Sequence, residues 1–337
     1  MKRTARTATA LAAALVLVGI GGGTAGAAGP PGAAAPFEGR PPVQIEGPPV
    51  SLGTEIKGLS DDDLVAGEYV TEGRFTYPVR AWVWREGELT EIGPFDDRGS
   101  SRVTAVAGRG KVLGTSDVPE GGQVGFLWEN GDLRALGTPQ DDFRPVDVDD
   151  AGRVLGTRTT AGGWRASIWR DGAFKTLPAP SECTSTWATA SNERGTAVGT
   201  CYVGTERRYE LLWQDGGRRV RALAPSMQVL DVDEHGWLAG QHLGTQRATV
   251  WAPRGRGGWR AVDLGAAPGA SAEDFGRPGE VVVTEPVAAG GVTRVLLWRW
   301  GRLTALTGAD EDYEARQANR HGHVLGVSYG NPALLWR

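Results

Sequence analysis

Gly125-Phe126-Leu127-Trp128-Glu129-Asn130-Gly131-Asp132-Leu133-Arg134-Ala135-Leu136-Gly137 places an Asn-Gly pair between two short apolar runs. Such a pair marks a two-residue hairpin, because both turn residues need positive φ. The pattern recurs along the chain. Ala81 to Leu89 carries Trp84, Ala166 to Phe174 carries Trp169 with Asp171-Gly172, and Asp215-Gly216 follows Trp213. The aligned Trp residues are Trp84, Trp128, Trp169, Trp213, Trp251, Trp298 and Trp336, spaced 44, 41, 44, 38, 47 and 38 apart.

A second anchor lies about 14 residues before each Trp unit and reads Asx-x-x-Gly-x-Val-Leu-Gly. Clear copies are Asp149 to Gly156, Asn192 to Gly199, Asp233 to Gly240 and Asn319 to Gly326. Its first Gly recurs at Gly110, Gly152, Gly195, Gly236, Gly279 and Gly322, while Asp63 stands there in the first copy. An Asx side chain bonds nearby backbone and Gly takes the left-handed site, so this is a second tight turn. Each unit therefore holds four short strands, A to D. The Asx turn joins A to B and the Asp-Gly type turn joins C to D.

Four-stranded units of this length read as β-propeller blades. Apolar residues on both sides of strand C, as in Val295-Leu296-Leu297-Trp298, call for a sheet buried on both faces. The sequence predicts a seven-bladed β-propeller of four-stranded antiparallel blades over 43–337. The last unit stops after strand C, and Val50 to Thr54 resembles an orphan strand D, so an N-terminal strand should complete the last blade. A solenoid of stacked sheets is the competing reading, and it leaves these permuted termini unexplained.

Composition agrees. Gly is 51 of 337 residues, about twice the usual share, which favours frequent turns over long helices. Lys2, Arg3 and Arg6 precede the apolar run Ala8 to Ile20 and the Ala25-Gly26-Ala27 site, so 1–28 reads as a signal peptide. Residues 29–42 read as a Pro/Gly/Ala-rich linker. Loss of three basic residues takes the net charge from −4 to −7, which argues against nucleic acid. The expectation is a secreted monomer with no membrane span.

The repeat resembles the HAF-type extracellular repeat, whose phrase is Ala-Phe-Leu-Trp-x-x-Gly-x-Leu-x-x-Leu-Gly followed by Ile-Asn-x-x-Gly-x-Val-Val-Gly. Gly125 to Gly137 is similar to its first half and Ala190 to Gly199 to its second. No copy carries the His-Ala-Phe opening, so the likeness rests on Trp, Gly and spacing. It implies secretion and a propeller-like fold, and no catalytic residues.

Binding on a rigid ring belongs to its longer, varied loops, here D-to-A and B-to-C on the top face. Trp164, Trp187, Tyr202 and Tyr209, with Arg207 and Arg208, are the candidate ligand-binding group, suited to sugar rings or a partner anchor. Asp96, Asp97, Asp141, Asp142, Asp310 and Asp312 precede strand A, and Asp147, Asp231 and Asp274 share one aligned position on it. Together they read as an acidic channel mouth, or as solvated loop charge with backbone-bonded Asp. Cys183 and Cys201 read as a disulfide in a secreted chain. No spacing marks a metal, a cofactor or a catalytic motif. The expected function is a non-catalytic binding or scaffold module for a glycan, cell-envelope polymer or protein. The alternative is a polysaccharide hydrolase or lyase using channel carboxylates.

Overall fold

The computed structural model describes residues 35–36, 41–48, 51–72, 77–255, 258–287, 291–307, 311–328 and 331–337. The expected signal peptide, most of the expected linker and Asp310 lie outside them. The described residues form seven sheets, one per blade, as the repeat predicts. Blade 1 runs through Gly53–Leu59, Val65–Val70, Val79–Arg85 and Glu88–Ile92. Blade 3 runs through Phe143–Val148, Val154–Thr160, Gly163–Arg170 and Ala173–Thr176, and blade 4 through Ser185–Ser191, Ala197–Val203, Glu206–Gln214 and Arg219–Ala222.

Blade 7 takes strands A to C from Glu314–Ala318, Val324–Val327 and Ala333–Trp336, and its outer strand is Val43–Ile45. Ile45 pairs antiparallel with Ala333 and Val43 with Leu335. Closure by an N-terminal strand therefore holds, but the strand lies seven residues earlier than Val50 to Thr54. The reason is burial: Ile45 is 1% exposed against Leu325 and Leu335, whereas Leu52 is 61% exposed. Gly53 and Thr54 instead open strand A of blade 1. Within the expected linker, Ala35–Pro36 adds a parallel strand outside Arg302–Ala305 of blade 6.

The core is divided into seven clusters, one at each junction. Every repeat Trp packs into the junction with the preceding blade. Trp213, for example, joins Leu155, Ala166 and Leu177 of blade 3. Both turns behave as the sequence requires. Asn130 and Gly131 have φ of 51° and 96°, and Asp171 and Gly172 of 50° and 83°. In the Asx turns the Asn192 side chain accepts the Arg194 and Thr196 amides.

Asp63, the exception to Gly in this series, keeps the left-handed backbone at φ 61°. Its carboxylate has a task that Gly lacks. It meets His323 Nδ1 at 2.6 Å, Asn319 Nδ2 at 3.0 Å and Arg337 Nε at 3.2 Å, joining the last blade to the first.

Candidate functional site

Strand A is the inner strand of each blade and lines the channel. In every blade its ladder with strand B skips one residue: Lys57, Thr104, Val146, Thr189, Leu230, Glu273 or Arg316. A bulge re-aims side chains. All seven bulged residues line a channel cavity of about 300 Å³.

The residue after each bulge is the aligned Asp position, and where it is Asp it latches onto the next blade. Asp147 Oδ2 accepts the Ser191 amide and hydroxyl of blade 4, both at 2.8 Å. Asp231 Oδ2 accepts the Phe275 amide at 3.1 Å, and Asp274 Oδ2 the Ala318 amide at 2.8 Å. Gln317 closes the series. Its Oε1 accepts the Leu59 amide at 2.9 Å and its Nε2 donates to Val106 O at 3.0 Å. The Cβ that Gly58 lacks would stand 2.7 Å from Gln317 Oε1 and 3.0 Å from Val106 Cβ, so Gly lets Gln317 sit there undisplaced.

Desolvation raises all three Asp. The Asp147 carboxyl is pushed up to about 6, with Ser191 opposing the shift. Asp231 and Asp274 are hydrogen-bonded to each other; burial, then the charge of Asp231, holds Asp274 well above the usual carboxylate range. These three stand near the A-to-B turns, because Asp147 is two residues before Asp149, where a turn begins.

The other acids stand at the opposite end, in the D-to-A loops, and hold those loops in shape. Asp96 accepts the Arg98 amide, Asp141 the Thr138 amide and hydroxyl, and Asp142 the Thr159 hydroxyl. Asp312 accepts the Thr293 amide and hydroxyl of blade 6, and the Asp97 carbonyl receives Arg80. The eight described candidates therefore form two groups at opposite ends of strand A.

Of the ligand-binding candidates, Trp164 and Trp187 come together. Their rings stack across the junction of blades 3 and 4, with centroids 5.1 Å apart and planes 29° apart. The sequence reading missed the third member. The Arg144 guanidinium lies 4.4 Å from the Trp164 ring centre and 5.9 Å from that of Trp187. Its signal was alignment: Glu55, Arg102, Arg144, Trp187, Gln228, Ser271 and Glu314 share the rung two residues before the bulge. A strand alternates with period two, so this rung shares the bulge's channel side.

Of the remaining candidates, Arg207 and Tyr209 are already engaged. Arg207 donates to Glu210 at 2.5 Å and to Met227 O at 2.7 Å. Tyr209 donates to Glu182, and burial followed by that carboxylate pushes its phenol up to about 12. Cys183 and Cys201 form the expected disulfide, with Cα atoms 5.5 Å apart, tying the loop entering blade 4 to its strand B. Tyr202 pairs across the sheet with Ser185, and Arg208 is exposed beside Tyr209.

At the junction of blades 7 and 1 the same end of the ring holds a cavity of about 570 Å³ instead of a stack. Glu314, Asn331 and Glu55 occupy there the rungs of Arg144, Trp164 and Trp187, and all three line it. Among the described residues no group of His, Cys, Asp and Glu could hold a metal ion. No helix among them is long and apolar enough to cross a membrane.

No family model matches the chain, and neither does any curated protein sequence. Solved structures do. YCF48 bound to D1 peptide is 13% identical, matching 90% of this chain and 97% of that one at a TM-score of 0.58. A puromycin-hydrolyzing peptidase of Mycobacterium tuberculosis is 15% identical over 88% of this chain, at a TM-score of 0.57. The chain spans about half of that peptidase, 54% of its length. At such identities the likeness is one of fold, and the fold it supports is the β-propeller.

Proposed function

We propose that this chain is a secreted, non-catalytic binding module that docks a glycan, cell-envelope polymer or protein segment on its top face. One observation carries the reading: the Trp164–Trp187 stack with Arg144 beside it. Neither indole N–H has a partner among the described residues, and neither is sealed from solvent. Flat aromatic area with free donors at its edge is what a recognition surface needs. The disulfide and the N-terminal signal both favour an oxidising, extracellular setting. The propeller of YCF48, which holds a peptide, supports an extended ligand. The repeat likeness supports membership of the HAF-type group.

The test is co-sedimentation of the mature protein with insoluble polysaccharides and cell-wall preparations, with soluble products assayed in the same tubes. Depletion of protein without products, abolished by Trp164→Ala with Trp187→Ala, is the expected result. A second reading has its own observation, the Asp231–Asp274 carboxyl pair in the channel. Such a pair could shuttle a proton in hydrolysis or elimination. Products that accumulate with time and vanish in Asp274→Asn would replace the binding reading with this one.

A further inference from the structure

We infer that the junction of blades 3 and 4 is a site for an acidic sugar, a ring bearing a carboxylate, with the carboxylate on Arg144 and the ring on the Trp pair. The inference rests on the binding reading above and names its ligand class.

The carrying observation is that Arg144 lies against both stacked indoles while its donors stay unengaged. Arg80, Arg153, Arg165, Arg207 and Arg294 each donate to a backbone carbonyl or a carboxylate at hydrogen-bond distance. Among the described residues the Arg144 guanidinium donates to none. Its nearest acid, Asp142 Oδ1, lies 3.9 Å from Nε, and the side chain is 52% exposed. A guanidinium resting against an indole keeps its flat face occupied and its N–H edge free. That edge matches a carboxylate bidentately, which a lysine could not do.

The neighbouring rung repeats the charge. Arg102 of blade 2 is 51% exposed, and its only acid partner among the described residues, Glu68 Oε1, is 3.5 Å away. Blades 2 to 4 thus present two loosely paired arginines and Trp187 on one rung, with Trp164 of strand C stacked on Trp187. The same rung in blades 7 and 1 is Glu314 and Glu55, so an anion has one favourable side of the ring. The overall charge of −4 supplies no general attraction for anions, so the attraction must be local. Indole faces with free N–H donors suit a pyranose, which offers a C–H face and ring hydroxyls together.

The experiment uses the full mature chain and three oligosaccharides of one linkage: an oligouronate, its methyl ester and the neutral parent. Binding is followed by tryptophan fluorescence and calorimetry. The expected result is oligouronate binding at least tenfold tighter than ester or neutral binding, weakening with salt. Arg144→Gln should erase that preference, and Trp164→Ala should weaken all three. Arg102→Gln, farther from the rings, should lose only part of the preference.

Equal binding of acid and ester to the unmodified protein would overturn the carboxylate inference and leave the binding module standing. So would an Arg144→Gln variant that folds and keeps the preference. Binding of a peptide through its terminal carboxylate, with no sugar bound, would overturn the sugar and keep the module. No binding in any arm, with no depletion on cell walls, would remove both readings.

Discussion

Between blades 3 and 4 the chain passes directly from one sheet into the next, whereas between blades 7 and 1 two distant parts of the chain must find each other. The first junction is fastened at both ends, above by the Cys183–Cys201 disulfide and the Trp164–Trp187 stack, and below by Asp147 on Ser191 and by Glu193 on Asp150 and Arg153. The second leaves about 570 Å³ open at its top and is fastened below. There Asp63 meets Asn319, His323 and Arg337, Asp61 meets Arg320, and Gln317 bridges Leu59 and Val106. Both junctions bury an apolar cluster of similar kind. Both are also latched below by polar partners, so the difference lies at the top, a ring stack in one and an open cavity in the other. The seam needs specific partners to define its register, while the continuous junction can give its top rung to a ligand.

The sharpest way to break the seam is Ile45→Asp. It places an unpaired charge among Ile56, Leu325 and Leu335, at a cost of about 4 kcal/mol. Urea unfolding should lose that much stability, and limited proteolysis should open the Val43–Ile45 segment first. A variant of unchanged stability would mean that the outer strand of blade 7 is dispensable. The matching change at the continuous junction is Cys183→Ser with Cys201→Ser. Opening a loop of 18 residues should cost about 3 kcal/mol. The loss should appear in the unmodified protein on adding reductant, and reductant should leave the double variant unaffected.

The contrast also shows what could be read from residues alone. Turns, blade number and closure were legible because Asn-Gly, Asx and Trp act within one blade or on its nearest neighbour. Trp164 and Trp187 were legible as a pair because the repeat places both near the top loops of adjacent blades, although the structure puts them at strand ends. Arg144 was not, since an arginine in strand A carries no aromatic signal and only the bulge shared by all seven blades shows which rung faces the channel. The closing strand slipped by seven residues for a related reason. Val50 to Thr54 resembles Arg134 to Thr138 locally, but pairing is decided by which residue meets Leu325 and Leu335, and that is Ile45. Asp63 stood out as a departure from Gly, yet its partners lie some 260 residues away in sequence. Long-range polar partners leave no local pattern.

One rung allows a like-for-like comparison, because Asp147 and Gln317 hold the same aligned position at the two junctions. Gln317→Ala would leave the Leu59 amide and the Val106 carbonyl without their partner. About 2 kcal/mol should be lost in denaturant melts, the usual cost of orphaned buried backbone groups. Gln317→Glu should restore acceptance from Leu59 and lose donation to Val106, giving an intermediate value. If the alanine variant melts with the parent, the seam is held by Asp63 and its partners instead.

Asp147→Asn has the smallest expected effect and a clear sign. The folded carboxyl titrates near 6, while the unfolded chain titrates near the ordinary value of 3.8. The folded state thus holds the proton more tightly. The stabilisation of this junction is complete below about pH 4 and is lost as pH rises through about 6, at a scale of about 1 kcal/mol after allowing for solvent in the channel. Asparagine still accepts the Ser191 amide and carries no charge to desolvate. The variant should therefore be the more stable protein at pH 7 and nearly equal at pH 4, with a flatter stability–pH curve between. Gln317 cannot titrate, so variants at the seam rung should keep the slope of the parent. A parent slope unchanged in Asp147→Asn would assign it to the Asp231–Asp274 pair, which burial shifts in the same direction.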